Sequence, residues 1–333
     1  MAKNFSWGII GPGHIAQKFA KAIALVPDAR LAAVASRDLE KARSFASEFG
    51  ADKAFGNYAS LAKDPDIDAI YIATPHTYHH AHTLLCLGYG KPVLVEKPMS
   101  VSFASTQEMV SKARESRIFL MEAMWTGFLP SIRKVVELVA AGTIGDVKSV
   151  RADFGFAGVA NDHSRLYDLS LGGGSLLDVG VYPLYLALLL LGRPDAVKTV
   201  AQLAPTGADV TTEALLYYAR GKTASIQSSI VMSTSITAEI TGTTGAIRLE
   251  RPWYKGSMLS VRRQDEISEN FSLPYGDNGF EFQIQEVQHC LSNGLMESGI
   301  MPLDMSLLLA ETMETISRSN GVAYALQPAV PAS

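Results

Sequence analysis

The feature that most restricts this chain lies near its start. Gly8-Ile9-Ile10-Gly11-Pro12-Gly13-His14-Ile15-Ala16 holds G-x-G-x-x-A directly after the apolar run Phe5–Ile10. From Ile15, apolar residues recur at Phe19, Ile23 and Val26, the spacing of one helical face. A strand that turns into a helix through such glycines opens a dinucleotide-binding βαβ unit. Gly11 permits the tight turn, Gly13 lets a pyrophosphate approach the backbone, and Ala16 lets the helix pack on the strand. An anion there would meet the free N–H groups of the helix start. Gly11, Gly13, His14 and Ile15 are therefore candidate cofactor contacts. The alternative, a glycine turn without a ligand, is disfavoured by the βαβ context.

The alternation of strand and helix continues to about residue 122. Leu31–Ala35 reads as a buried strand. Leu39, Ala42, Phe45, Ala46 and Phe49 form a helix stripe closed by Gly50. Ala69–Ala73 is a strand halted by Thr74-Pro75, and Thr83–Leu87 belongs to a helix ended by Gly88. Val93–Val95 is a strand halted by Pro98, Ser105–Ala113 is helical and Ile118–Met121 is strand-like. This predicts an α/β domain over residues 1–122, a doubly wound Rossmann fold with a parallel sheet.

Beyond it the pattern changes. Pro130–Ala141 reads as a helix before Gly142, Val147–Phe156 as a strand, and the region around Leu176–Leu191 as a helix. Strand-like runs follow at Val197–Leu203, Glu213–Tyr218, Ala224–Ile230, Ile236–Thr241 and Ile247–Leu249, separated by turn glycines. Helices at Phe280–Leu291 and Leu303–Ile316 close the chain. Strands in succession predict an α+β domain over residues 123–333 with an open, mainly antiparallel sheet. Its last helices are free to pack back on the first domain.

Composition narrows the partners. Lys+Arg is 29 against Asp+Glu 33, a net charge of -4, so no basic excess is available for a phosphate backbone and nucleic acid is not expected. Cys86 and Cys290 are the two cysteines, which excludes a disulfide framework and suits the cytoplasm. A targeting segment is not expected, since Met1-Ala2-Lys3-Asn4 runs straight into a short apolar stretch and then glycines. Val179–Gly192 is apolar but shorter than the ~20 residues of a membrane span, and it contains Pro183. A buried core helix is expected there, and no membrane association.

The second predicted strand ends at Ser36-Arg37-Asp38. NAD sites usually place an acid on the ribose 2′-hydroxyl at this point. Here Ser36 can hydrogen-bond a 2′-phosphate and Arg37 can grip it with a charge-assisted fork, which favours NADP over NAD. Asp38 is expected to cap the next helix, and the alternative for Arg37 is a solvated surface charge.

Ligands of a doubly wound sheet sit beyond the carboxyl ends of its strands. Two such ends carry polar residues: Thr74-Pro75-His76, and Glu96-Lys97-Pro98. Lys97 falls where a nicotinamide ring should arrive, the alternative being a surface pair with Glu96 worth ~0–1 kcal/mol. His76 and His79 are expected to touch the nicotinamide half or to cap a helix. A metal site among His76, His79, His80 and His82 is not expected, because no cysteine or carboxylate pattern accompanies them.

A second constellation is Gly172-Gly173-Gly174-Ser175-Leu176-Leu177-Asp178-Val179-Gly180-Val181-Tyr182. Asp178 and Tyr182 are spaced to share one helical face. They either serve a reaction or satisfy each other in the core. Trp125 and Phe128 could wall a substrate pocket or equally be interdomain core, and Trp125 and Phe154 could stack an apolar ring face of a substrate. Loops between Gly155 and Leu171 and near Trp253–Ser257 would shape that pocket.

The segments GIIGPGHIA, SRD, ATPH, VEKP, MWTGFLP and GGGSLLDVGVYP together resemble the glucose–fructose oxidoreductase and inositol dehydrogenase family, Gfo/Idh/MocA. Tyr182, where many members carry histidine, is similar to the branch of dimeric dihydrodiol dehydrogenase and NADP-dependent D-xylose dehydrogenase. The resemblance spans nearly the whole chain. It implies a homodimer built on the second domain's sheet and catalytic roles for Lys97, Asp178 and Tyr182. Gly127 departs from the pattern, since that branch leads us to expect arginine there.

The expected chemistry is hydride transfer between a nicotinamide and a carbinol carbon of a sugar or cyclic diol. Tyr182 would pass the hydroxyl proton. A free tyrosine titrates near ~10, too high for a good base at neutral pH. An ammonium at ~4 Å would favour the phenolate by ~4 kcal/mol at an effective dielectric of 20, less the cost of desolvation. Asp178 would orient the hydroxyl or Tyr182. The alternatives are a regulatory protein that binds dinucleotide or sugar, and an oxidoreductase that never releases its cofactor.

Overall fold

Six parallel strands form the first sheet of the computed structural model, which describes residues 4–158, 164–263, 269–276 and 278–327. They are β1 (Phe5–Ile10), β2 (Ala29–Ala35), β3 (Lys53–Phe55), β4 (Ala69–Ile72), β5 (Val93–Glu96) and β6 (Leu120–Ala123), in the order β3-β2-β1-β4-β5-β6. The order reverses between β1 and β4, which opens a crevice beyond their carboxyl ends. Helices α1 (His14–Ile23), α2 (Leu39–Phe49), α3 (Tyr58–Lys63), α4 (His79–Gly88) and α5 (Phe103–Ser116) connect these strands.

Local chemistry sets the helix ends. Asp38 Oδ1 accepts from Glu40 N and Lys41 N at 3.0 and 3.2 Å, and Gly50 stops α2 at φ 72°. Asn57 caps α3 and Ser102 caps α5 in the same way. The core of this sheet joins Ile10, Ile70, Ile72, Val93, Val95 and Leu120 to Leu61, Leu87, Met109 and Val110.

The second sheet has eight strands in the order β14-β13-β12-β11-β7-β10-β9-β8. They are β7 (Val147–Gly155), β8 (Ala196–Leu203), β9 (Asp209–Tyr218), β10 (Lys222–Ser229), β11 (Ala238–Gly242), β12 (Gly245–Leu249), β13 (Met258–Arg263) and β14 (Glu269–Ser272). All neighbours are antiparallel except β7 and β10. Helix α6 (Pro130–Ala140) precedes β7, and α7 (Val181–Leu191) packs on β7 and β10. Leu184, Leu186 and Leu188 on α7 are at most 1% exposed, and each contributes ~1.5–3 kcal/mol by burial. Leu169–Leu191 is long and apolar enough to cross a membrane by length and composition, yet 78% of that window is buried in the protein.

The chain divides into two units, one of Met1–Trp125, Gly276–Leu307 and Leu326–Ser333, the other of Thr126–Tyr275 and Leu308–Ala325. Helix α8 (Glu281–Ser292) belongs to the first, and α9 is Leu303–Ser319.

Three features differ from the sequence reading. The short β3 and α3 were not anticipated; β3 spans three half-buried residues, too few to show a period. Strands β13 and β14 extend the second sheet past the runs recognised in sequence. The expected helix around Leu176–Leu191 is divided: Leu176–Gly180 is a wider π turn, and the α-helix begins at Val181. Pro183 has no N–H to donate to the Val179 carbonyl, so an unbroken α-helical ladder fails there.

Candidate active site

The first unit presents a cradle for a dinucleotide phosphate. Gly11 has φ 88°, and a Cβ there would lie 2.8 Å from Thr74 Cγ2 and 3.0 Å from the Ala73 carbonyl carbon. Gly13 is the N-cap of α1 and no side chain caps that end. A Cβ at Gly13 would meet nothing within 4 Å. Uncapped amides facing open space at a helix start fit a pyrophosphate. Ala16 is fully buried against the sheet, while His14 is exposed and Ile15 half-buried.

At the end of β2, Ser36 is buried and its hydroxyl accepts from Asp38 N at 3.2 Å. Arg37 is exposed, with its guanidinium 5.8 Å from the Tyr78 ring centroid. Tyr78 lies nearly parallel to His82, and Tyr58 meets the same imidazole edge-on at 4.6 Å. Burial holds the His82 imidazole down at about 4, with His79 and Arg37 adding to the shift, so a neutral ring underlies these aromatics. Burial pushes the Tyr58 phenol up, against the pull of Arg37.

The ends of β4 and β5 are stapled together. His79 Nε2 lies 2.8 Å from the Thr74 carbonyl and Nδ1 lies 2.9 Å from the Pro98 carbonyl. His76 is buried and half-buried Pro75 precedes it. Glu96 is turned inward: the Tyr71 phenol and the Lys97 backbone N, at 3.2 Å, donate to it. Lys97 is half-buried at the same strand end. Glu122 is fully buried beside this turn. Its Oε1 accepts from Met99 N at 2.8 Å, and the Ser306 hydroxyl adds a second favourable interaction with the carboxylate. Burial lifts the Glu122 carboxyl to about 7. Trp125 stacks on Phe280 at 5.1 Å.

The second unit carries the other set of groups. Asp178 lies in the π turn, and Arg165 Nη2 donates to its Oδ1 at 2.6 Å. Tyr182, at the start of α7, is 6% exposed. Its ring sits 5.7 Å from Phe154 and 5.4 Å from Tyr254, and Phe154 stacks on Tyr254 at 4.0 Å. Tyr254 is presented by a short turn that is pinned from behind: Trp253 Nε1 donates to the Asp153 carbonyl at 2.8 Å, and Thr126 Oγ1 donates to the Tyr254 carbonyl at 2.8 Å.

Within this unit the structure brings Tyr182 and Phe154 together with Tyr254, and Asp178 lies four residues before Tyr182 in the π turn, paired with Arg165. Sequence reasoning missed Arg165 and Tyr254. Both lie in loops singled out as pocket-forming, but no local pattern marks the individual residues; residues 159–163 of the first loop lie outside those described. It also missed Asp209, which accepts from Leu176 N at 2.8 Å and so holds the turn that carries Asp178. Gly127 has a local cause: a Cβ there would lie 2.3 Å from the Tyr185 phenol oxygen, so that phenol fills the space an arginine would need. Among the described residues no group of three or more His, Cys, Asp or Glu could hold a metal ion.

Comparison with known proteins agrees with this layout. Residues 5–123 match the model of an oxidoreductase family with an NAD-binding Rossmann fold (GFO_IDH_MocA), and residues 132–248 match the GFO/IDH/MocA C-terminal domain. The chain is 37% identical over 327 residues to a trans-1,2-dihydrobenzene-1,2-diol dehydrogenase of Mus musculus, covering 96% of this chain and 97% of that one. The Homo sapiens protein of the same name is 36% identical, with the same coverage. Among solved structures, a 3-ketoreductase from Actinomadura kijaniata in complex with NADP and TDP-benzene superposes with a TM-score of 0.84 at 27% identity, covering 97% of this chain and 99% of that one. An aldose-aldose oxidoreductase from Caulobacter crescentus shares the fold, with a TM-score of 0.86 at 24% identity over 95% of this chain and 97% of that one.

Proposed function

This chain belongs to the GFO/IDH/MocA oxidoreductase family, and on that premise we propose that it is an NADP-dependent dehydrogenase of a cyclic diol or a sugar, with Tyr182 as its proton-transfer group. One observation carries the reading: a buried phenol beside the ring faces of Phe154 and Tyr254, four residues after a carboxylate held by Arg165. Aromatic faces suit the apolar side of a ring, and the phenol and carboxylate suit its hydroxyls. A cyclic diol presents both.

NADP, when bound, supplies a hydride acceptor at nicotinamide C4. Gly11, Gly13, His14 and Ile15 would hold its pyrophosphate, and Ser36 and Arg37 its 2′-phosphate. Thr74, Pro75, His76, His79, Glu96 and Lys97 would line the nicotinamide half, His79 by bracing the two strand ends. Tyr182 takes the hydroxyl proton as the carbinol carbon gives up its hydride, leaving a carbonyl. In the reverse direction Tyr182 returns the proton. Lys97 is the second catalytic group in this reading, because a lysine ammonium close to a phenol would favour its phenolate form. Asp178, fixed by Arg165, orients the reacting hydroxyl, and Trp125 remains a candidate substrate contact of the first unit.

We also propose a cytoplasmic homodimer built on the second sheet. The exposure of Val200 (65%) and Leu203 (42%) on its edge strand β8 supports a covered face there, and the two reduced thiols suit the compartment.

The test is to incubate the protein with NADP or NAD and trans-1,2-dihydrobenzene-1,2-diol, D-xylose and a panel of hexoses, and to identify products by mass spectrometry. The proposal expects NADPH together with an oxidised diol or sugar, and weaker turnover with NAD. Tight NADP binding without any product would make the protein a binding module and overturn the proposal.

A further inference from the structure

The turn that carries Asp178 is not capped by its own N-cap residue: Ser175 makes no side-chain hydrogen bond to the turn's amides. The cap comes from the first residue of β9. Asp209 is 2% exposed, and its Oδ2 accepts from Leu176 N at 2.8 Å, from Ser175 Oγ at 2.7 Å and from Thr212 Oγ1 at 2.7 Å. Its other oxygen, Oδ1, accepts from the Tyr324 phenol at 3.4 Å. Tyr324 lies beyond α9, so the chain's last described stretch returns to this point.

The last glycine of the Gly172-Gly173-Gly174 run has its reason here. Gly174 has φ 120°, and a Cβ on it would lie 2.2 Å from Asp209 Oδ1 and 2.9 Å from the Tyr324 phenol oxygen. No side chain fits with the carboxylate in place. The far end of the turn is braced as well. Ser228 Oγ lies 2.9 Å from Ser175 Oγ, and a Cβ on Gly180 would come within 2.8 Å of Ser228 Oγ. A π turn is a loosened helix with neighbouring registers within reach: Asp178 N still donates to the Gly174 carbonyl at 3.2 Å, an α-helical bond. Something outside the turn must therefore select its register. Burial raises the Asp209 carboxyl above its ordinary range, a cost the fold accepts where a neutral cap would have served a plain helix end.

We propose that Asp209, closed from the chain's C-terminal end by Tyr324, is a positioning residue that sets the register of the turn and thereby the placement of Asp178 and Tyr182. This rests on the reading of Tyr182 as the proton-transfer group.

The experiment compares Asp209→Asn, Tyr324→Phe and Tyr182→Phe in the full chain, with trans-1,2-dihydrobenzene-1,2-diol and D-xylose as substrates and NADP as cofactor. In Asp209→Asn we expect kcat to fall ~10- to 100-fold, the scale of a small misplacement of reacting groups, with substrate KM and NADP affinity little changed. Tyr324→Phe, which removes one hydroxyl, should give a smaller fall in the same direction. Hydrogen exchange of the amides from Leu176 to Tyr182 should quicken in both while the rest of the second sheet stays protected. Wild-type kcat and exchange in Tyr324→Phe and Asp209→Asn would overturn the inference. If Asp209→Asn fails to fold, Tyr324→Phe alone decides, by the same two readouts. Full turnover in Tyr182→Phe would instead overturn the proposed function and leave the exchange result to judge Asp209.

Discussion

Arg165 Nη2 donates to Asp178 Oδ1 at 2.6 Å, tying a loop after β7 to the π turn that precedes Tyr182. The guanidinium side chain is 41% exposed and the carboxylate 17%. Such a half-solvated pair is worth ~1 kcal/mol or less to stability. In the proposed reaction its effect would be on the orientation of Asp178. Arg165→Met should leave the melting temperature nearly unchanged, keep NADP affinity, and lower kcat/KM for the reacting diol or sugar ~10-fold or more. Steady-state kinetics beside a nucleotide titration measures both; an equal loss in nucleotide affinity would contradict the assignment.

Under the proposed function, Arg37 is the residue that would decide between the two nicotinamide cofactors. It is exposed beside Tyr78 and next to the buried hydroxyl of Ser36, where a 2′-phosphate would be gripped. A charge-assisted hydrogen bond contributes ~1.5–3 kcal/mol, so Arg37→Ala should weaken NADP binding ~10- to 100-fold and leave NAD binding unchanged. Fluorescence titration with each nucleotide checks it. Equal losses for both would remove Arg37 from cofactor choice.

The two glycines of the nucleotide turn should fail differently. A side chain at Gly11 meets Thr74 and the backbone of Ala73 at φ 88°, so Gly11→Ala should destabilise the fold by ~1–3 kcal/mol. A side chain at Gly13 meets no protein atom within 4 Å. Gly13→Val should melt like the parent protein and lose NADP binding, because its methyl groups occupy the space of the pyrophosphate. Differential scanning fluorimetry with and without NADP separates the two.

Glu122 makes stability depend on pH. Burial raises its carboxyl from 4.5 to about 7, so the folded chain holds this proton more tightly than the unfolded chain does. Its contribution is full below pH ~4.5 and is lost as pH rises through about 7, a swing on the order of 3 kcal/mol. Glu122→Gln should flatten that fall between pH 5 and 8 and melt higher than the parent at the alkaline end. Melting curves that stay parallel across this range would show that Glu122 does not titrate there.

What sequence reveals about this molecule is what its chain keeps local. The turn at Gly11 and Gly13 is legible because strand, glycines and helix are contiguous, and the cap at Asp38 for the same reason. That the first sheet is parallel follows from the alternation of elements, which shows five of its six strands and leaves their order open. Asp178 and Tyr182 stand out because polar residues interrupt an apolar run. Arg165, Tyr254 and Asp209 do not stand out. Each reaches the Asp178–Tyr182 segment, or its aromatic surroundings, only through tertiary packing, and an aspartate opening a strand looks like any turn residue until Gly174 is seen to make room for it. The π turn was hidden because helical periodicity is nearly the same on either side of a single widened turn. The third strand was hidden because Lys53–Phe55 is shorter than the pattern that would announce it.

The central claim is that the Tyr182 phenol moves the proton during hydride transfer. Its most direct test is single-turnover reduction of NADP by the reacting diol or sugar in Tyr182→Phe, with NADP affinity measured on the same preparation. The account predicts unchanged affinity and a rate at least ~100-fold lower across the pH range. A wild-type rate in that variant would contradict it.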